Sequence, residues 1–254
     1  MTIIYYNTPA NIKAGITLKN AAYAEQFNVA LHTCTTPQAI IENREKLAVA
    51  LNTPLEHFVF AHQTHSDQFV KVQAAHKGRG TTSQETAIQA VDALYTFEPN
   101  IVCTSFTADC VPITFYSEEH HLVGAVHSGW GGTVKEISYK LFSHLQKVEQ
   151  VNLSTVKVHI GRALSQEKFE VDADVADQFK ALGYADEWIM YKPEKQKFFI
   201  DNQLVVAKQC QLAGIDPKQI TIDRTCTFID ADSFSYRQDR SCGRHVSFIV
   251  REEE

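Results

Sequence analysis

The chain has 254 residues, with 24 Lys+Arg against 30 Asp+Glu, a formal net charge of −6 and a pI of about 6.0. Its basic residues are scattered and its C-terminus closes on Glu252, Glu253 and Glu254, which disfavours a binder of nucleic acid or of an anionic membrane. At 44% hydrophobic and 21% charged it has the composition of a folded globule, and no run approaches the roughly 20 apolar residues of a membrane span, because Ile101 to Tyr116 is broken by Asp109.

In chain order, β-branched and aromatic runs predict a strand at Thr2–Tyr6. A helix follows over Pro37–Leu51, then strands at His57–Ala61, Phe69–Val72, Ile101–Phe106, Val111–Tyr116 and Leu122–Val126. A long helix is expected over Gly132–Val148, where Val134, Ile137, Leu141, Leu145 and Val148 fall on one stripe. Beyond it come a strand at Val156–Ile160, helices over Asp172–Leu182 and Asp201–Ala213, and strands at Ile220–Ile222 and His245–Val250. Gly214 and Pro217 stop the last helix. No linker or repeat divides the chain, so one domain is expected over residues 1–254. Strands mixed irregularly with helices indicate the α+β class.

The N-terminus lacks the pattern of a signal peptide, and six cysteines (Cys34, Cys103, Cys110, Cys210, Cys226 and Cys242) are spread without a tight framework. A cytoplasmic protein with free thiols is the expectation, one of them available as a metal ligand or nucleophile.

Three segments place reactive side chains beside strands: Ala61 to Asp67, Phe106 to Pro112 and Val126 to Gly132. In the second, Asp109 and Cys110 interrupt apolar strands, which costs stability unless they are partnered. In the third, Gly129, Gly131 and Gly132 turn His127 directly into a helix start, where free N–H groups suit an anion. One histidine of the first segment, His62 or His65, together with Cys110 and His127 makes a His₂Cys set that satisfies zinc and leaves a fourth position open. The same residues also read as a Cys110 nucleophile with His127 as its base. A blue-copper reading needs an axial methionine, and only Met1 and Met190 exist.

At these segments the sequence resembles the multicopper polyphenol oxidase or laccase-domain family, whose members are also described as purine nucleoside phosphorylases and as peptidoglycan-editing factors. The resemblance covers almost the whole chain. It includes Phe27 to His32, Glu42-Asn43-Arg44, Asp92 to Thr96, Ile160-Gly161, Phe169 to Val171, Cys226-Thr227, Phe234 to Arg237 and Gly243-Arg244. It implies that the metal ligands are His65 of Gln63-Thr64-His65, Cys110 of Ala108-Asp109-Cys110, and His127, holding Zn2+ with Cu2+ as the alternative. The family fold it implies is a single α+β domain of layered mixed sheets flanked by helices.

The resemblance further implies a purine nucleoside phosphorylase acting with phosphate on adenosine, inosine, guanosine or methylthioadenosine, with adenosine deaminase activity at the same site. Deamination has a direct rationale, because zinc lowers the pKa of water to around 7 and so supplies hydroxide for attack at C6. Expected roles are Cys110, His127 and Asp109 in catalysis, Asp109 for proton transfer or ligand orientation, and Arg44, Gln63 and Arg244 in substrate binding, with Arg162 a further phosphate contact. A monomer is expected. Alternatives of other classes are a Cys–His hydrolase editing peptidoglycan precursors, a copper polyphenol oxidase and a metal-binding module. Gly131 stands where the family has Arg, Arg162 where it has Pro, and Gln238 where it has a second Arg. These departures leave the metal set intact and bear on phosphate affinity.

Overall fold

In the strand Leu122–Ser128 every residue is buried. Leu122 and Val126 join an apolar cluster beneath two helices, while Val123 and Ala125 join a second cluster between two sheets. Successive side chains point to opposite faces, so a strand apolar at both parities must be covered on both. The computed structural model describes residues 2–253, so Met1 and Glu254 lie outside it.

That strand sits within a six-stranded sheet whose order is Ile220–Ile222, Lys157–Ile160, Val111–Ser117, Leu122–Ser128, Ala93–Thr96 and Phe69–Lys71. Against it lies a five-stranded sheet ordered Ile3–Tyr5, Ile12–Thr17, His245–Arg251, Val102–Thr107 and Phe58–Val59. Helices Ile137–Lys147 and Asn202–Ala213 cover the outer face of the first sheet, and Pro37–Ala50 covers that of the second. The layers therefore run helix, sheet, sheet, helix, which is the α+β architecture expected. A small three-stranded sheet (Glu170–Val171, Lys197–Ile200, Ile189–Lys192) packs with helix Ala173–Lys180 and walls one side of the cavity described below.

Ile12–Thr17 escapes the sequence pattern because Lys13 and Gly15 dilute its apolar character, yet it pairs along His245–Arg251. Gly15 is needed there, since a Cβ would stand 2.3 Å from the Ile4 carbonyl oxygen. The expected helix over 132–148 is two helices, Trp130–Val134 and Ile137–Lys147, broken at Glu136 with φ 63°. The break frees the first turn to follow the site, where Lys135 Nζ donates to the His65 carbonyl, while Ile137, Leu141 and Leu145 still face the sheet. Val148, assigned to the stripe, is 64% exposed beyond the helix end. All six cysteines are free. No helix among the described residues is long and apolar enough to cross a membrane.

His245 gives the fold a measurable pH dependence. The Phe234 N–H donates to its Nε2 at 2.7 Å, so Nδ1 carries the proton and donates to the Thr17 carbonyl at 2.7 Å. Burial of this neutral ring lowers its pKa to about 3. The unfolded chain takes up a proton near pH 6.5 and the folded chain does not, so stability is lost as pH falls below that value. About 2 kcal/mol should disappear between pH 7.5 and 5 from this group. Urea midpoints of the chelated protein at the two pH values test this, and equal midpoints would contradict it.

Candidate metal centre

Strand register delivers the first parts of the site. Val126 pairs with Ala93 and His127 with Pro112. One step beyond, Asp92 falls beside His127, and Cys110 falls just before Val111–Ser117. His127 has the parity of Val123 and Ala125, so it continues the face between the sheets to the strand's end, where it is 3% exposed. The residues Ala108, Asp109 and Cys110 cross from Val102–Thr107 in one sheet to Val111–Ser117 in the other, which places Cys110 on the seam. His65 enters from the loop that follows Ala61–His62.

The donor atoms of His65, Cys110 and His127 lie within 4.8 Å of one another. Cys110 Sγ is 3.8 Å from His65 Nε2, and the two imidazoles meet edge to face with centroids 4.8 Å apart. Tetrahedral zinc with these ligands needs its donors about 3.3–3.6 Å apart, so closing by about 1.5 Å at most completes the set. The residues fit the ion in number, softness and spacing. His127 closes the protein side and the exposed His65 borders the cavity, so an open fourth position would face solvent. His62 is turned away, its Nδ1 held 3.1 Å from Gln89 Oε1.

Asp92 binds the two histidine segments together, a role that sequence reading did not assign to it. Its carboxylate contacts His127 Nδ1 at 2.7 Å and accepts from the backbone N–H groups of Thr64 (3.2 Å), His65 (3.0 Å) and Ser66 (2.7 Å), and from Ser66 Oγ (2.6 Å). The contact at Nδ1 leaves Nε2 of His127 as the atom available to a metal, the usual carboxylate–histidine support. Burial works against the Asp92 charge, but His127 and the Ser66 donors outweigh it and hold the carboxyl below its ordinary pKa. Burial likewise opposes the Cys110 thiolate, yet the charge and hydrogen bond of His127, aided by His65, push the thiol below its ordinary value. His127 moves the other way, raised by Cys110 and Asp92 against the effect of burial. Two signals point to Asp92: it opens the Asp92 to Thr96 segment that carries the family resemblance, and it lies one residue before the strand Ala93–Thr96, which the apolar-run pattern does not single out.

Local strain accompanies this geometry. His65 and Asp109 both have left-handed backbones, φ 56° and 84°. Such residues persist where the surroundings over-determine them. His65 is held by Asp92 and Lys135, and Asp109 by its own carboxylate, whose Oδ1 accepts from Thr227 Oγ1 and Oδ2 from the Arg237 N–H, both at 2.7 Å. Asp109 thus anchors the C-terminal loop, and the proton-transfer role expected of it has no uncommitted oxygen. Gly129 admits the close approach of both ligands, because a Cβ there would lie 2.4 Å from His65 Cδ2 and 3.0 Å from Cys110 Sγ.

A cavity of about 580 Å³ opens above His65 and Cys110, walled by Trp130, Phe169, Tyr236, Arg237 and Arg240 among others. The three residues expected to bind substrate do not line it. Arg44 is buried, its guanidinium donating to the carbonyls of Val29, Gly80 and Thr81 and stacked 4.1 Å from the Phe60 ring centre. Gln63 uses its amide on the Phe106 N–H and carbonyl, latching the His65 loop to the sheet. Arg244 donates to the carbonyls of Cys242 and Gly243. Arg162 is also committed, to Asp230 at 2.9 Å and Asp223 at 3.6 Å. Met190 is exposed on the small sheet and does not line the cavity, so among the described residues it supplies no axial copper ligand there. Position 131 does border the site, since a Cβ on Gly131 would lie 3.4 Å from His65 Cβ.

A layered α+β chain with a His₂Cys cluster under a solvent cavity matches one family model, multi-copper polyphenol oxidoreductase laccase, over residues 13–252, and the chain belongs to that family. Among its relatives is purine nucleoside phosphorylase YlmD of Bacillus subtilis (strain 168), 33% identical over 250 residues that cover 94% of this chain and 88% of the relative. A purine nucleoside phosphorylase of Staphylococcus epidermidis is 30% identical, covering 97% and 94%. The crystal structure of Bacillus licheniformis hypothetical protein YfiH superposes with a TM-score of 0.94 at 31% identity, over 99% of this chain and 97% of that one. YlmD from Geobacillus stearothermophilus gives 0.91 at 29%, over 99% and 100%.

Proposed function

We propose that this protein is a zinc-dependent purine nucleoside phosphorylase, a cytoplasmic monomer acting on adenosine, inosine, guanosine or methylthioadenosine, and that the same site deaminates adenosine. The names of its relatives support the substrate class. The observation that carries the reading is the convergence of His65, Cys110 and His127 at the floor of a nucleoside-sized cavity. A zinc ion held by these three would supply Lewis acidity at that floor.

The remaining chemistry falls to the chain itself. Trp130, Phe169 and Tyr236 offer apolar faces that stack a purine and exclude water. Asn202 lines the same cavity, with its amide nitrogen donating to the Ser128 carbonyl at 3.3 Å. In phosphorolysis an oxygen of orthophosphate bonds to C1′ as the C1′–N bond breaks, and the base leaves with the bonding pair and takes a proton. In deamination water adds at C6 and ammonia leaves. Freshly purified protein should contain about one zinc per chain, release base only with phosphate, and release ammonia from adenosine with or without it. Neither product across a nucleoside panel would overturn the reading.

One observation favours the Cys–His hydrolase as a second reading: Cys110 and His127 shift each other toward the thiolate–imidazolium pair of a cysteine nucleophile. The two readings diverge on alkylation. Zinc shields a ligated thiolate, so iodoacetamide should label Cys110 at least about ten-fold faster after chelation than before. Equally fast labelling of the metal-loaded protein would favour the hydrolase.

A further inference from the structure

Two cations of the cavity wall lack a carboxylate partner once the wall's pairings are traced. Of its carboxylates, Glu170 pairs with Lys195 at 3.3 Å and Asp172 with Lys197, two lysines that do not line the cavity. Asp109 is engaged by Thr227 and the Arg237 N–H. Asp109 and Asp174 have no ion pair among the described residues, and Asp174, in the first turn of Ala173–Lys180, has no side-chain hydrogen bond either. The cations are left differently. Arg237 directs Nη1 and Nη2 to the Glu170 carbonyl at 3.0 Å, a neutral partner, and pairs with no carboxylate among the described residues. Arg240 has neither a hydrogen bond nor an ion pair among the described residues, yet it lines the cavity. A single turn builds this arrangement. The N–H of Asp239 closes on the Ser235 carbonyl at 3.0 Å, and Asp109 clamps the turn to the crossing segment that carries Cys110. Tyr236, Arg237 and Arg240 consequently share the cavity side.

We propose that Tyr236, Arg237 and Arg240 form the phosphate subsite of this cavity. The inference rests on the nucleoside-phosphorylase reading of the same site, and it assigns phosphate to cations other than Arg44, Arg162 and Arg244, none of which lines the cavity. A guanidinium without a protein counter-ion offers paired N–H groups that match phosphate oxygens, and the Tyr236 hydroxyl adds a donor. The chemistry recognised is a phosphate group, either free orthophosphate or the ester phosphate of a nucleotide.

Arg240→Gln is the clean variant because Arg240 holds nothing else in the fold. Calorimetric titration of the zinc-loaded protein with inorganic phosphate, and separately with a nucleoside 5′-monophosphate, should show about ten-fold weaker binding in the variant for the ligand that uses the subsite, with zinc content and Tm unchanged. Arg240→Lys should recover part of the loss. Weakening confined to orthophosphate identifies the free ion, and weakening confined to the monophosphate identifies the ester; either supports the subsite. Identical affinities of natural protein and variant for both ligands would overturn it. The phosphate KM of phosphorolysis separates this proposal from the reading beneath it. Base release with an unaltered phosphate KM in the variant removes the subsite and leaves the phosphorylase. Arg240-dependent phosphate binding without base release from any nucleoside removes the phosphorylase and leaves the subsite.

Discussion

Replacing Asp92 with Asn should cost the protein 10- to 100-fold in zinc affinity and at least about 3 kcal/mol of stability. The carboxylate meets four donors of the Thr64–Ser66 segment and the His127 ring. An amide keeps the shape but turns one oxygen into a donor that faces other donors. Buried N–H groups then lose their acceptor, at about 1–3 kcal/mol each. The left-handed backbone of His65 loses what holds it, and the His127 ring loses the contact that fixes its orientation. Chelator competition reads the first effect and thermal unfolding the second. Because the metal-free protein is measured as well, a structural and a ligand-orienting role are separable. Unchanged zinc affinity with a lowered Tm would mean that Asp92 supports only the loop.

Gly129→Ala should be still more damaging to the metal centre, abolishing stoichiometric zinc and costing about 1–3 kcal/mol of stability by overpacking. The added methyl would sit 2.4 Å from His65 Cδ2 and 3.0 Å from Cys110 Sγ, so one ligand must move. Gly131→Ala is the control two residues away, where the nearest atoms are 3.4 Å off and only a few tenths of an ångström of adjustment is asked. Metal analysis of both variants after purification in zinc-containing buffer decides the matter. Full zinc occupancy in Gly129→Ala would show that His65 has another position from which to bind.

The sequence by itself determined much of the local structure and the identity of the donor atoms. Helices Pro37–Ala50 and Asn202–Ala213 were legible because the breakers at their ends act within one turn, and most strands of the two large sheets because their apolar runs are continuous. Cys110, His127 and one histidine of the 61–67 segment were legible as a set because imidazole and thiolate are ligands wherever they meet, and the family resemblance, through Gln63-Thr64-His65, singled out His65 over His62.

Tertiary structure alone decided where the cations went. Arg44 looked like a substrate contact and became a buried support, because carbonyls 15, 36 and 37 residues away in sequence converge on it. Arg162 was drawn off by Asp230, 68 residues distant, whereas Arg237 and Arg240 line the cavity and pair with no carboxylate among the described residues. The fate of a charged side chain depends on which acceptors the folded chain brings within about 3 Å, and no local pattern encodes that. The same holds for Asp92, which becomes the link between two histidine segments only when a strand missed in the sequence pairs beside His127.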